Sequence, residues 1–152
     1  MITLEQLQQH ADWLRDGSGK RIEVVAANLS GANLSGVNLS YANLSGVNLV
    51  AANLSEANLS YANLSGVNLS YAIGNMREIK SAQFDQWAVT WSADVLAIGC
   101  QQHAIEEWRN ANPRWIAAMD SGATNWWSRY GALVLQLIDA SPATGVVLEV
   151  VA

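Results

Sequence analysis

Leucine returns at every fifth residue across the middle of the chain: Leu29, Leu34, Leu39, Leu44, Leu49, Leu54, Leu59, Leu64 and Leu69. Asparagine precedes each one, from Asn28 to Asn68, and Ala or Val stands two residues before it. Serine follows each leucine except at Val50. Ile22-Glu23-Val24 reads as a degenerate leading unit, and Gly74 breaks the unit that Ala72 starts. A period of five fits neither the 3.6-residue repeat of a helix nor the two-residue repeat of a plain strand. A chain with this pattern has to turn a corner every five residues. At each corner it places one large and one small apolar side chain inward.

This stretch, residues 22–72, resembles the pentapeptide-repeat family, whose motif is Ala-(Asp/Asn)-Leu-X-X. It covers about a third of the chain. The resemblance implies a right-handed quadrilateral β-helix, four units to a coil, with Leu and Ala/Val filling the shaft. Residues 22–72 then make about two and a half coils, a column about 12 Å tall at the ~4.8 Å spacing of paired strands. So short a solenoid leaves backbone edges open at both ends and requires caps. Spacing by twenty stacks Tyr41 on Tyr61, Gly46 on Gly66, and Gly31, Ala51 and Tyr71 in one line. The tyrosine ladder is either cross-strand packing or a surface for a flat ligand. The asparagines read as corner hydrogen bonding. The Asn-Leu-Ser triplets match glycosylation acceptors only formally.

Composition narrows the function classes. The 152 residues are 51% hydrophobic and 14% charged, which opposes disorder. No apolar run reaches the ~18–20 residues of a membrane span. The first ten residues lack the basic and apolar regions of a secretory signal, so a cytoplasmic location is expected. One cysteine, Cys100, excludes an internal disulfide and a multi-cysteine zinc site. A net charge of −5 gives no surface for bulk nucleic acid.

The flanks are of a different kind. Residues 1–21 form an N-terminal helical cap. Thr3 and Gln6 make a capping-box pattern, Leu4, Leu7, Ala11 and Leu14 one apolar stripe, and Gly17 the stop. His10 lies beside that stripe and is expected on the cap surface, with Trp13 at the column's edge. Gly17-Ser18-Gly19-Lys20 lacks the spacing of a phosphate-binding loop and follows a helix rather than a strand. Residues 73–152 read as an α+β capping and assembly domain. Strands are expected at 79–84, 87–91 and 95–98, and helices at 104–110, from Pro113 with Asn112 as its cap, and at 125–140. The last helix carries two apolar stripes, Trp126, Tyr130, Leu133 and Leu137 beside Trp127, Val134 and Ile138. They are broad enough to meet the column and a second chain. The tail from Gly145 to Ala152 is strongly β-prone and is expected to pair with a neighbouring strand.

The run from Ile98 to Trp108, with Met119-Asp120 and Trp126-Trp127, resembles the C-terminal extension of pentapeptide-repeat proteins encoded by phages and prophages. The opening His10-Ala11-Asp12-Trp13-Leu14 is similar to the same group. The resemblance implies a phage setting without implying a reaction.

Candidate chemistry is sparse. Cys100 and His103 have a Cys-x-x-His spacing, but zinc takes four ligands and the only other histidine is His10. A Cys–His nucleophile would need an orienting third group, and Glu106 and Glu107 are already explained by a helix's first turn. No catalytic residue, metal or cofactor is assigned. Six of the seven tryptophans lie in residues 87–127. Trp87, Trp91, Trp108, Trp126 and Trp127, with Arg109, Arg114 and Arg129, are the binding candidates, joined by Tyr41 and Tyr61. Trp115 completes the six. The tryptophans can serve as core, as interface anchors, or as a stacking slot for a base with an arginine on its phosphate.

The expected function is that of a non-catalytic, homo-oligomeric binding protein that blocks or sequesters a host defence component through its Trp/Arg-rich C-terminal region, in counter-defence. One alternative is a sponge for a nucleotide-like immune signal. Another is mimicry of duplex DNA toward gyrase, which the resemblance brings with it. Duplex DNA carries one charge per ~1.7 Å, so a column of this height would need about seven. The repeat offers two acids, Glu23 and Glu56.

Overall fold

The computed structural model describes residues 1–144; the expected strand at 145–152 lies outside them. Between Glu23 and Ile73 the backbone forms parallel bridges between residues twenty apart, from Glu23↔Asn43 to Asn53↔Ile73. From Leu29 to Leu49 each leucine N–H donates to an asparagine carbonyl nineteen residues on, as in Leu34 to Asn53 at 2.8 Å, and Leu54 donates to Ile73 in the same way. From Asn43 to Asn68 each asparagine N–H reaches back twenty-one residues, as in Asn48 to Ala27 at 2.9 Å. Four five-residue units therefore fill one layer of the stack, and the fold is β-helix-like.

The corners follow from local chemistry. Within each unit the leucine carbonyl accepts from the N–H three residues on, as in Ala52 to Leu49 at 2.9 Å. The residue before that donor takes a positive φ, as the third position of a type II turn requires. Every fifth residue from Ala26 to Met76 does so, including Tyr41 and Tyr61 at φ 61° and 60°. The asparagine Oδ1 accepts from the backbone N–H two residues on, at 3.0–3.2 Å, in every unit from Asn28 to Asn68. The asparagines are thus the corner brackets expected of them. An amide can also donate to the layer above, as Asn63 Nδ2 does to Asn43 Oδ1. Stacked carboxylates at the same spacing would repel one another. Leu39, Leu44, Leu49, Leu54 and Leu59 are wholly buried and, with Val47, Ala52, Ala57 and Ala62, fill the shaft.

At the N-terminal side, α1 (Leu4–Asp16) begins at Thr3 with both capping-box hydrogen bonds and ends at Gly17 in the left-handed conformation, φ 79°. Its contact face differs from the expected stripe. Leu4 is 86% exposed and Ala11 is exposed, whereas His10 is completely buried. The reason is polar. The His10 Nδ1 accepts from the Ile22 N–H at 3.1 Å, and Nε2 faces the Ser40 carbonyl at 3.0 Å. The acceptor role of Nδ1 fixes the proton on Nε2, so the ring is neutral and both nitrogens are used. Ile2 and Leu7 pack on the column core beside it. Gly19 brings the chain under the helix, where a Cβ would lie 2.3 Å from the Gln9 carbonyl oxygen.

At the C-terminal side, β1 (Lys80–Phe84), β2 (Trp87–Trp91), β3 (Val95–Ile98) and β4 (Gln101–Ala104) form an antiparallel meander in the order β1-β2-β3-β4. The fourth strand is a departure from expectation. A two-residue turn at Gly99-Cys100 sends the chain back, and the polar run Gln101-Gln102-His103 carries no apolar strand signature. Ser81, Thr90, Ala97 and Gln102 are successive cross-strand partners and form one row across the sheet. That row faces the column. Ser81 Oγ accepts from Gly74 N–H, Thr90 Oγ1 donates to Ala72 O, and Gln102 Nε2 donates to Val67 O. The Gln102 Oε1 in turn accepts from Leu69 N–H at 2.7 Å. Ile79, fully buried, belongs to the column core, and Val95 packs against it.

The opposite face of the sheet holds Val89, Trp91, Leu96 and Ile98 against α2 (Ile105–Arg109), α3 (Pro113–Ala117) and α4 (Ala123–Ala140). Asn112 caps α3 as expected, its Oδ1 accepting from Trp115 N–H. The buried line of α4 is Trp126, Val134 and Ile138, packed in the sheet's helical core, while Leu133 is 52% exposed. The helix therefore meets the sheet rather than the column. Among the described residues no helix is long and apolar enough to cross a membrane.

Two outcomes follow from this packing. Leu44→Ala should cost about 2–5 kcal/mol of unfolding free energy in a urea titration, since it empties part of a closed shaft. Leu4→Ala should stay within about 0.5 kcal/mol; equal losses would contradict the assigned core. His10 supplies the second. Burial, aided by Arg21, holds its pKa below the ordinary 6.5 against the opposing hydrogen bond to Ser40. The folded state then binds fewer protons than the unfolded one just below pH 6.5. The latch is fully stabilising above that value, and stability declines as the pH falls from it toward the lower folded pKa. Urea midpoints taken from about pH 8 to about pH 5 should fall, and His10→Gln should flatten that slope. An unchanged slope in the variant would contradict the assignment.

Candidate ligand-binding groove

The sheet's polar row covers the column at residues 67–74 and leaves the neighbouring corner open. Leu64 is the sign of it: Leu59 and Leu69 on either side are wholly buried, but Leu64 is only partly so. From this corner a groove of about 510 Å³ runs between the column and the β2–β3 turn. Tyr41, Tyr61, Asn43, Asn63, Leu64 and Ser65 form its column wall. Ser92, Ala93 and Asp94 form the opposite wall, and Arg21, Glu78 and Thr144 complete the lining.

The tyrosine ladder is real. The Tyr41 and Tyr61 rings stack with centroids 4.8 Å apart and 14° between planes. The line continues upward through the edge of Trp13, which itself stacks on His10. Tyr61 ends it and is 58% exposed, Tyr41 47%. Their positive φ is set by the corner rule, so the rings are held by a backbone that repeats every five residues. At the lower end Glu78 is 8% exposed, its Oε2 accepting from Asn75 Nδ2 at 2.6 Å. Asn75 Nδ2 also donates to the Ala57 carbonyl, tying this segment to the last layer. Asp94 Oδ1 accepts from Ser92 Oγ at 3.0 Å. At the upper end Arg21 is paired with Glu23 at 2.8 Å.

The column that builds this wall matches a known repeat. A family profile described as pentapeptide repeats fits residues 26–52 and 48–73, in 8 copies. Residues 26–73 are pentapeptide repeats. No curated protein matches the chain. The pentapeptide-repeat column thus supplies half of the groove, and the sheet and its turns supply the other half.

The remaining candidates fall elsewhere. Trp91, Trp108 and Trp126 are buried in the helical core, their indole N–H groups donating to Ser141, Leu96 and Phe84 carbonyls. Trp87 and Trp127 are half-buried in the same cluster, Trp87 against Trp126 and Trp127 stacked on Trp108. Arg109 is held by Asp139 at 2.7 Å and Glu106 at 3.3 Å, and its hydrogen bond keeps the Asp139 carboxyl below its ordinary range. Arg129 lies over the Tyr130 ring and 3.6 Å from Asp85. Arg114 is exposed on α3 and has no ion pair among the described residues. The structure gathers Tyr41 and Tyr61 at the groove and does not bring the tryptophans and arginines to it.

His103 stands on β4, edge-on to Trp108 and Trp115, 3.9 Å from Glu107, and Cys100 is exposed in the turn before it. Among the described residues no three His, Cys, Asp or Glu side chains converge as a metal ion requires. Arg21 could have been found by counting, since it lies twenty residues before Tyr41. Glu78 and Asp94 carry no such signal, because sheet docking places them.

Proposed function

We propose that the protein is a non-catalytic binding protein of a phage or prophage, acting in the bacterial cytoplasm to block or sequester a host defence component. In this reading residues 22–72 are a right-handed quadrilateral β-helix of about two and a half coils. Residues 1–21 and 73–152 cap it, and the latter also serve self-association, for which exposed Leu133 on α4 is the nearest apolar contact. The pentapeptide repeats support a binding or structural role over an enzymatic one. The observation that carries the proposal is the groove beside Tyr41 and Tyr61. There two large aromatic rings stay half exposed and rigidly held, as a recognition surface requires and a core does not.

The geometry favours a protein partner over a nucleotide-like signal. Three of the tryptophans proposed for base stacking have their indoles turned into the core, and Arg109 is neutralised by two carboxylates. Duplex mimicry finds as little support, since Glu23 is paired with Arg21 and leaves Glu56 as the column's remaining acid.

Affinity capture from bacterial extract should retain one host protein in stoichiometric amount. The Tyr41→Ala/Tyr61→Ala double variant should lose it while keeping the wild-type melting behaviour. Extracts of infected and uninfected cells, incubated with the protein and then denatured off it, report small ligands. A released nucleotide with no retained protein would replace the protein-partner reading with the sponge, and capture unaffected by the double variant would move the surface away from the groove.

A further inference from the structure

The lower end of the groove carries a charge that the chain itself does not balance. Glu78 is more than nine-tenths buried, yet it has one amide hydrogen bond and no cation within 4.0 Å among the described residues. Asp94, on the facing turn, has a serine hydroxyl and likewise no cation there. The eight residues from 145 to 152 contain no Lys, Arg or His. Arg21, the basic residue on the groove wall, is committed to Glu23 at the other end. A carboxylate mostly withdrawn from water without a counter-charge is costly, and the cost is relieved by an incoming positive group. The exposed Tyr61 ring, the end of the stacked ladder, lines the same groove as the two carboxylates.

From this juxtaposition we propose that the groove receives a basic side chain of a protein partner, an arginine whose guanidinium lies against Tyr61 and is anchored by Glu78 and Asp94. The proposal rests on the reading of the groove as the binding surface and names the chemistry it selects. An aromatic face attracts a cation through its quadrupole, and the attraction grows when water is excluded. A planar guanidinium can stack on the ring and still direct N–H groups to carboxylates at its edge, which a lysine ammonium cannot do as well. The donor set suits an organic cation better than a metal ion, since it offers two carboxylates where a protein metal site usually offers three or more ligands. Anionic ligands, nucleotides included, would meet both acids on entering.

The test uses the full chain and three probes: a short Gly/Ser peptide carrying two arginines, the same peptide with citrulline in their place, and ATP. Binding is followed by calorimetry and by the ring resonances of Tyr41 and Tyr61. The arginine peptide should bind about tenfold or more tighter than the citrulline peptide and weaken in high salt. It should also shift the Tyr61 resonances, and ATP should not bind there. Asp94→Asn, at an exposed turn, should reduce arginine-peptide binding severalfold without altering the melting curve, and Glu78→Gln should reduce it further. Equal binding of the arginine and citrulline peptides, abolished by Tyr61→Ala, would overturn the cation assignment and leave the groove standing as a binding surface. Failure of either peptide to perturb the tyrosines would overturn the assignment. Capture of a host protein that still depends on Tyr41 and Tyr61 would then show that the broader reading survives it.

Discussion

A stack of five-residue turns points its backbone donors and acceptors along its own axis, so each layer is satisfied only by the layers above and below it. In a long solenoid the two end layers are a small fraction of the total. Here they are most of the column. Unpaired buried backbone groups cost about 1–3 kcal/mol each, enough to decide whether so short a stack stands. One side chain at each end answers with a donor and an acceptor together. His10 accepts from Ile22 and donates to Ser40; Gln102 accepts from Leu69 and donates to Val67. The rest of the molecule is arranged to present these two groups. Helix α1 holds the imidazole, and the antiparallel sheet holds the amide in a row with Thr90 and Ser81.

That constraint separates what could be read in the sequence from what could not. The column is legible in its repeating roles, Leu inward, Ala or Val inward and Asn at the corner, and the structure adds a positive φ at the fifth place. Most secondary elements on either side were legible as well. Thr3, Gly17 and Asn112 mark helix ends by local hydrogen bonding alone. The edge groups were not legible, because they depend on which face of one element meets another. A helical wheel assigns α1 to Leu4 and Ala11, since apolar residues usually make the contact. The contact is instead made around a histidine, because the surface it meets is an open backbone edge. For the same reason β4 escaped notice. Its glutamines look like loop residues until they are seen to replace a missing strand.

The groove is a by-product of the same geometry. The sheet docks on the column at residues 67–74 and leaves the neighbouring corner, at Leu64, uncovered. There the tyrosine ladder, itself a consequence of the twenty-residue register, runs out beside Glu78 and Asp94. The tryptophans that dominate the composition of residues 73–152 draw attention away from it. Three of them are buried with their N–H groups satisfied, as a small α+β core built on aromatic area requires. Tyr41 and Tyr61 could be placed on one face by counting, but the wall opposite them comes from a domain whose docking no periodicity encodes.

Amide hydrogen exchange of the native protein tests the central claim most directly, with Leu69 and Leu44 as reporters in wild type and in Gln102→Met. If one bidentate side chain closes the end of the stack, its loss unprotects the Leu69 N–H. It also lowers protection at Leu44, deep in the column, by about tenfold to a hundredfold, because the stack opens from its edge. Unchanged protection at both amides in the variant would contradict the account, and would place the stability of the column in its leucine shaft alone.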